Sequence, residues 1–289
     1  MAKVTERCFE ATGHTCFICD FSPPRAGDPA LLAPAADLDV DFISVAYNPG
    51  RAVRVSAAML AAAIRQQVGK EVVFTLATRD MNKLALQSQL LGAQLLGLQN
   101  VIVVQGDPFS ERDLAQVKAV ADLTPSQFIA SIARMNQGED YRGSQLRAPT
   151  DFCIGATVDL GRGIGREARL AHRKTRAGAQ FFITQPIFDV ADAARFLDAY
   201  ATGAGEPLTL PVFFGLQVLE PEGILFSSVP QHFRDELTRG RSGVELAVEL
   251  YRRFQESGIH NIYLVPPIRR GGARNYAAAQ EVLANVPRL

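Results

Sequence analysis

Cysteine is scarce in this chain, four residues in 289, and Cys8, Cys16, Cys19 and Cys153 are spaced too irregularly for a disulfide framework. Cys16 and Cys19 form a C-x-x-C, but no second pair at zinc spacing follows, and their apolar surroundings predict a buried, reduced pair. An excess of charge of either sign is also missing. Lys plus Arg and Asp plus Glu number 30 each, which argues against nucleic acid or an anionic membrane surface as partner and leaves room only for small basic sites. No apolar run nears the roughly 20 residues that cross a bilayer. Met1–Glu10 has no apolar signal core, so a soluble, cytoplasmic protein is expected. The histidines, His14, His172, His232 and His260, are scattered without metal spacing or a nucleophile partner. No Gly/Ser linker divides the chain, and at 47% hydrophobic it can bury one large core.

What is present is alternation. Glu71–Asp107 holds two strand-like runs, Val72–Ala77 and Asn100–Val104, around a segment whose Leu84, Leu86, Leu90, Leu91 and Leu95 recur mainly at helical spacing. Asp80 or Asn82 can cap that helix and Gly97 loosen its end. Thr15–Phe21, Phe42–Tyr47, Phe152–Val158, Phe181–Gln185, Pro211–Leu219 and Ile262–Val265 complete eight strands. Helices are expected over Ser56–Val68, from Thr124 to Gln137 behind a capping box, and over Arg166–Ala177, Val190–Tyr200, Ser242–Glu256 and Asn275–Asn285. A poor, Pro-interrupted helix is expected over Asp28–Ala36, with Pro108–Lys118 and Gly138–Thr150 irregular. Eight such repeats favour a closed (β/α)8 TIM barrel in a single domain over an open doubly wound sheet, with no further regulatory domain.

A barrel of this kind collects polar residues at the carboxyl ends of its strands, and the sequence does so at Asp20, Tyr47, Thr78–Asp80, Gln105–Asp107, Thr157, Asp159, Thr184, Gln185, Gln217, Glu220 and Arg269. Asp107, in QGDP, is a catalytic-end carboxylate or an ordinary Asp-Pro turn former. Asp20 is a turn residue or, if shielded from water, a proton donor. Gln185 carries a donor and an acceptor suited to a heterocycle edge, or closes a loop. Gly161–Gly165 faintly suggests a phosphate loop but lacks the spacing of a known fingerprint.

DFSPPR at Asp20–Arg25, FISVAY at Phe42–Tyr47, the run from Thr78 to Pro108 and KTRAGAQFFITQPIFD at Lys174–Asp189 together resemble the methylenetetrahydrofolate reductase family, in the same order and over nearly the whole chain. The resemblance implies a flavin-containing barrel in which NADH or NADPH reduces FAD, and FADH2 passes hydride to 5,10-methylenetetrahydrofolate. It places Asp107 by flavin and pterin, with Gln105, Gly106, Thr157 and Asp159 along the cofactor and Arg173 and Lys174 at its phosphate and ribose. Gln185 then meets the pterin edge, Phe233 stacks on substrate or nicotinamide, Arg269 meets the folate tail, and Asp20 is the acid that opens the folate ring. The family usually has Glu where Asp20 stands, Thr at Ala46, Arg at Gln105, a Tyr or other FAD contact at Thr157, and often His at Thr75. These departures remove flavin contacts. Two other readings therefore stand beside the first: direct hydride transfer from nicotinamide to the same folate, and a non-catalytic folate- or flavin-binding barrel in a C1-transfer assembly. A tetrahydrofolate C1 derivative is the expected small-molecule partner, and the Ala-rich outer helices leave a homo-oligomer open.

Overall fold

In this computed structural model, which describes residues 2–10, 14–224 and 229–287, eight parallel strands close in sequence order. They are β1 (Cys16–Phe21), β2 (Phe42–Val45), β3 (Val72–Ala77), β4 (Asn100–Val104), β5 (Cys153–Val158), β6 (Phe181–Pro186), β7 (Val212–Gln217) and β8 (Asn261–Val265), and β8 pairs with β1. The period of two along each strand sorts the apolar residues into two layers. Cys16, Ile18, Phe42, Val73, Ile102, Cys153, Phe181, Ile183 and Phe213 pack inside the barrel. Phe17, Cys19, Ile43, Phe74, Val101, Ile154, Phe182 and Phe214 belong to the layer beneath the helices. Cys16 and Cys19 are both buried and free, but an extended strand turns them to opposite faces; the thiol beside Cys16 is Cys8, at 3.9 Å.

The helices are α1 (Val4–Glu10), α2 (Ala33–Asp37), α3 (Ala57–Ala63), α4 (Lys83–Leu95), α5 (Glu111–Leu114), α6 (Pro125–Met135), α7 (Ile164–Ala177), α8 (Ala191–Ala204), α9 (Gln231–Thr238), α10 (Gly243–Glu256) and α11 (Tyr276–Asn285). The Ser56–Val68 expectation resolves into α3 followed by a wider π turn over Ile64–Val68. Of the two possible caps on α4, Asn82 serves, its Oδ1 accepting the Ala85 N–H at 2.9 Å, because Asp80 is engaged by Arg79. The Thr124–Gln127 capping box forms on α6. Helix α1 carries no pattern that announces it. It closes the amino-terminal end of the barrel by inserting fully buried Val4 among the interior residues, its amide donating to Asn100 Oδ1 at 3.0 Å.

Candidate functional site

The opposite, carboxyl-terminal end is built differently. Strand parity directs Asp20, Ser44, Thr75, Val104, Thr157, Gln185, Gln217 and Tyr263 inward, one layer above the apolar interior. Val104, Thr157, Gln185 and Tyr263 keep partial exposure despite that position, so this end is an open well with polar walls.

Beside β1 and β8 the wall is an ion pair. Asp20 accepts from Arg274 Nε at 2.8 Å and from Tyr263 Oη at 3.1 Å, and both members of the Asp20–Arg274 pair are buried. Burial acts to lower the Arg274 pKa, but the charge and hydrogen bond of Asp20 outweigh it and leave the guanidinium raised. Burial first, then the Asp20 charge, push the Tyr263 phenol well up, so it keeps its proton. The shielding from water expected at Asp20 is present, yet a cation comes with it: both carboxylate oxygens already accept hydrogen bonds. Arg274 lies 254 residues from Asp20 in the chain, and the only trace of it in the sequence is the basic loop that follows β8.

Between β3 and β4 the rim is organised by Arg79. Its Nε and Nη2 donate to Asp80 at 2.6 and 2.8 Å, its Nη1 donates to the Asp107 carbonyl at 2.6 Å, and its guanidinium lies 4.2 Å from the Phe109 ring centre. Burial acts to raise the Asp80 pKa, but the Arg79 hydrogen bond and charge prevail and lower it. Tyr47 hydrogen-bonds the same carboxylate, and burial, then Asp80, push its phenol up to about 12. The Arg79 N–H also donates to the Gln105 carbonyl at 3.1 Å. Gly106 has φ +86, and a Cβ there would lie 3.2 Å from Arg79 Cβ. The loop is thus fixed through its backbone, and the exposed Asp107 carboxylate has no hydrogen bond or ion pair among the described residues.

Across the well, Gln185 is the last residue but one of β6 and Gln217 ends β7. Gln217 is 2% exposed, its Nε2 reaches the Ile224 carbonyl at 3.4 Å, and its Oε1 is buried without a donor among the described residues. Lys174, on the inward side of α7, donates to the Thr157 carbonyl at 2.5 Å; burial lowers its pKa against the charge of Glu167. Asp159 pairs with Arg162 at 2.9 Å and accepts the Gly161 N–H at 3.2 Å, which sets a carboxylate against the start of the Gly161–Gly165 loop.

The structure therefore brings Asp20, Gln105, Gly106, Asp107, Thr157 and Gln185 to one end of the barrel, with Asp159 and Lys174 behind β5. It does not bring Arg173, Phe233 or Arg269 there in free form. Arg173 is exposed on α7 next to inward-facing Lys174. Phe233 is buried on α9 against Phe188, ring centres 5.2 Å apart. Arg269 forms a two-point pair with Glu220 at 3.0 and 2.9 Å. Gln217 and Tyr263 are the residues the sequence left without a role; their signal was a polar side chain in step with the inward positions of its strand. A separate concavity of about 520 Å³, lined by Leu208, Pro211 and His260 among others, lies at the other end, by the starts of β7 and β8.

Closed parallel barrels with polar groups gathered at the carboxyl ends of the strands form the class of (β/α)8 proteins that hold ligands at that end. Within that class, the family model described as methylenetetrahydrofolate reductase matches residues 5–267, and the chain belongs to that family. It is 21% identical over 239 residues to methylenetetrahydrofolate reductase 1 of Schizosaccharomyces pombe, an alignment covering 77% of this chain but 38% of that protein. Among solved structures it resembles a Clostridium thermocellum protein described as binding two copies of 5-methyl-5,6,7,8-tetrahydrofolic acid, with TM-score 0.65, 14% identity and coverage of 98% and 99% of the two chains. It also resembles 2,3-dimethylmalate lyase, with TM-score 0.52, 13% identity and coverage of 92% and 80%. At these identities the two structures speak to the fold alone.

Proposed function

We propose that the chain is an oxidoreductase that reduces 5,10-methylenetetrahydrofolate to 5-methyltetrahydrofolate in the well, with NADH or NADPH as the source of hydride. The observation that carries this reading is hydrogen-bonding capacity left unfilled at one end of the barrel. Among the described residues, Gln217 Oε1 is buried without a donor, Gln185 is partly open to the well, and the exposed Asp107 carboxylate has no hydrogen bond or ion pair. A pterin edge presents both N–H donors and acceptors, which two amides and a carboxylate can match. When the five-membered ring of the folate opens, the departing nitrogen takes a proton from water in the well, the C1 unit becomes an iminium cation that accepts the hydride, and the carboxylate of Asp107 at the rim stabilises that cation. Arg79 holds the Asp107 backbone at the rim and leaves the Asp107 side chain free to meet the ligand. Asp20 serves here by holding the Tyr263 hydroxyl at the well; delivery of a proton from Asp20 would require the Arg274 pair to open.

The residues fit a flavin at its ring end, where the orphaned Gln217 acceptor needs a donor and the small Gly106 and Thr157 leave the rim unobstructed. Gly106 and Gln217 would hold it, and when bound it would supply an acceptor and donor of hydride between nicotinamide and folate. One observation favours a second reading, direct transfer from nicotinamide. Lys174 is enclosed and engaged by the Thr157 carbonyl and Arg173 is exposed on the outer helix, which leaves neither cation in the well for a cofactor phosphate.

The test is the visible spectrum of the purified protein under anaerobic conditions, before and after NADH, alongside NAD(P)H oxidation with and without 5,10-methylenetetrahydrofolate. Flavin bands that bleach support the flavin route. A colourless protein that takes up no FAD yet oxidises NAD(P)H only when the folate is present supports direct transfer. Absence of NAD(P)H oxidation both with and without the folate sinks the enzymatic reading. With activity in hand, Asp107→Asn is expected to lower kcat on the order of a hundredfold.

A further inference from the structure

We infer that Cys8 and Cys16 form an oxidisable dithiol at the floor of the barrel, a modification site at which a small hydroperoxide converts the two thiols into a disulfide tying α1 to β1. The site lies at the end opposite the well and stands independently of the reaction proposed there. Cys8, in the last turn of α1, and Cys16, the first residue of β1, have their sulfurs 3.9 Å apart. A disulfide places its sulfurs about 2 Å apart, so the approach still to be made is about 2 Å, within reach of a side-chain rotation or a small shift of the final turn of α1. The other two thiols are held away from this pair. Cys19 faces the opposite side of β1 and donates to the Asp20 carbonyl at 3.6 Å, and fully buried Cys153 meets Thr5 Oγ1 at 3.7 Å.

Access differs between the two sulfurs, and that orders the chemistry. Cys16 is 1% exposed and packs with Val4, Phe42 and Phe213 inside the barrel. Cys8 is half-buried and lines the concavity of about 520 Å³, whose wall continues through His260 and Asn261. That wall is joined to the pair itself: the Cys16 N–H donates to the His260 carbonyl at 2.9 Å, and Cys16 stands opposite Asn261 where β1 meets β8. A solute entering the concavity therefore meets Cys8 and not Cys16. In the reduced protein the contact with Cys8 first, then burial, push the Cys16 thiol well above its ordinary range, so it stays protonated and Cys8 reacts first. The Cys8 sulfur attacks one oxygen of hydrogen peroxide; the S–O bond forms, the O–O bond breaks, and Cys8 sulfenic acid and one water result. The Cys16 sulfur then attacks the sulfenic sulfur. The S–S bond forms, the S–O bond breaks, and the departing hydroxide leaves with the Cys16 proton as a second water. Two thiols lose two electrons in all, and one peroxide gains them. Oxidation of Cys8 also removes the thiol contact that held Cys16 protonated, and the short distance makes the second step intramolecular.

The test exposes the reduced, folded full chain to hydrogen peroxide, quenches with catalase, then unfolds the chain in an alkylating agent and maps its peptides. Wild-type protein is expected to lose two of its four thiols, to weigh less by two hydrogens before alkylation, and to yield a peptide joining Cys8 to Cys16 that a dithiol reductant separates. Cys19 and Cys153 should be alkylated as before. Cys16→Ser should stop the reaction at its first step, leaving a Cys8 sulfenic acid that dimedone traps, whereas Cys153→Ser should form the disulfide as the wild type does. The wild-type map needs no substitution, so it decides the matter even where Cys16→Ser, in an apolar floor, fails to fold. Four alkylated cysteines after peroxide, a disulfide that takes in Cys153 or a second chain, or undiminished loss of the Cys16 thiol in Cys8→Ser overturns the inference.

Discussion

Asp20 shows how a candidate residue changes meaning once its neighbours are known. Alone it is a carboxylate at a strand end; in the barrel it is one half of a buried pair with Arg274, with Tyr263 on its other oxygen. Removing one partner from such a pair leaves an uncompensated buried charge, which costs about 3–5 kcal/mol. Asp20→Ala and Arg274→Met are each expected to lower stability by about that amount. The double variant Asp20→Ala, Arg274→Met should lose much less than the sum, measured by urea unfolding in a double-mutant cycle. Strict additivity would mean the pair is not coupled. Asp107 and Gln185 could be picked out beforehand because a period of two and a strand end are local properties. The partners that decide what each can do could not, since they come from other strands and loops.

At the scale of elements, the passage of β7 beside β6 carries the most exposed assumption of the site. The β6–β7 register shifts between Ile183 and Pro186, and the Ile187 N–H returns to the Gly215 carbonyl at 3.0 Å. A Cβ at Gly215 would lie 2.6 Å from Pro186 N and 2.7 Å from the Gln185 carbonyl carbon. Gly215→Ala must therefore push the backbone that carries Gln185. It is expected to cost about 1–3 kcal/mol of stability and, where folate turnover is measurable, to raise KM. Gly203→Ala, in α8 with nothing within 4 Å of the new carbon, is the matched control and should be neutral or stabilising. An unshifted KM and unchanged stability in Gly215→Ala would show that the bulge yields without disturbing Gln185. Sequence patterning located β6 and β7 within two residues at each end, but the shift in register between them has no pattern of its own. It arises from how two neighbouring strands settle against each other.

For the whole molecule, closing the barrel partly buries phenols as well as burying apolar side chains. Tyr47, Tyr263 and Tyr276 all have raised pKa values, burial being the largest cause in each and nearby carboxylates, Asp80 for the first and Asp20 for the others, adding to it. Between the ordinary phenol value of 10 and these raised values the unfolded chain has released protons that the folded chain keeps. The stability these phenols contribute is therefore fully present below about pH 10 and is lost as pH rises above it. Urea midpoints at about pH 8, 9, 10 and 11 should show that fall, and Tyr47→Phe should make it shallower. A flat profile across this range would contradict the burial described for these rings. Closure also explains α1, which has no amphipathic signal: its place is set by an open barrel floor that accepts Val4 and by Asn100, which holds the Val4 amide and the Ala2 carbonyl.

The sequence by itself determined the eight-fold alternation, the parallel barrel and the set of polar side chains at its carboxyl end, because strand period, helix period and turn chemistry are all properties of neighbouring residues. Tertiary structure alone decided which of those side chains remain available to a ligand. Closure of β8 onto β1 delivered Arg274 to Asp20, packing of α7 turned Lys174 inward and left Arg173 exposed, and the bend of the β4 loop freed the carboxylate of Asp107 while anchoring its backbone. Each of these depends on elements distant in sequence meeting in space, where charge, burial and hydrogen-bond geometry are set together.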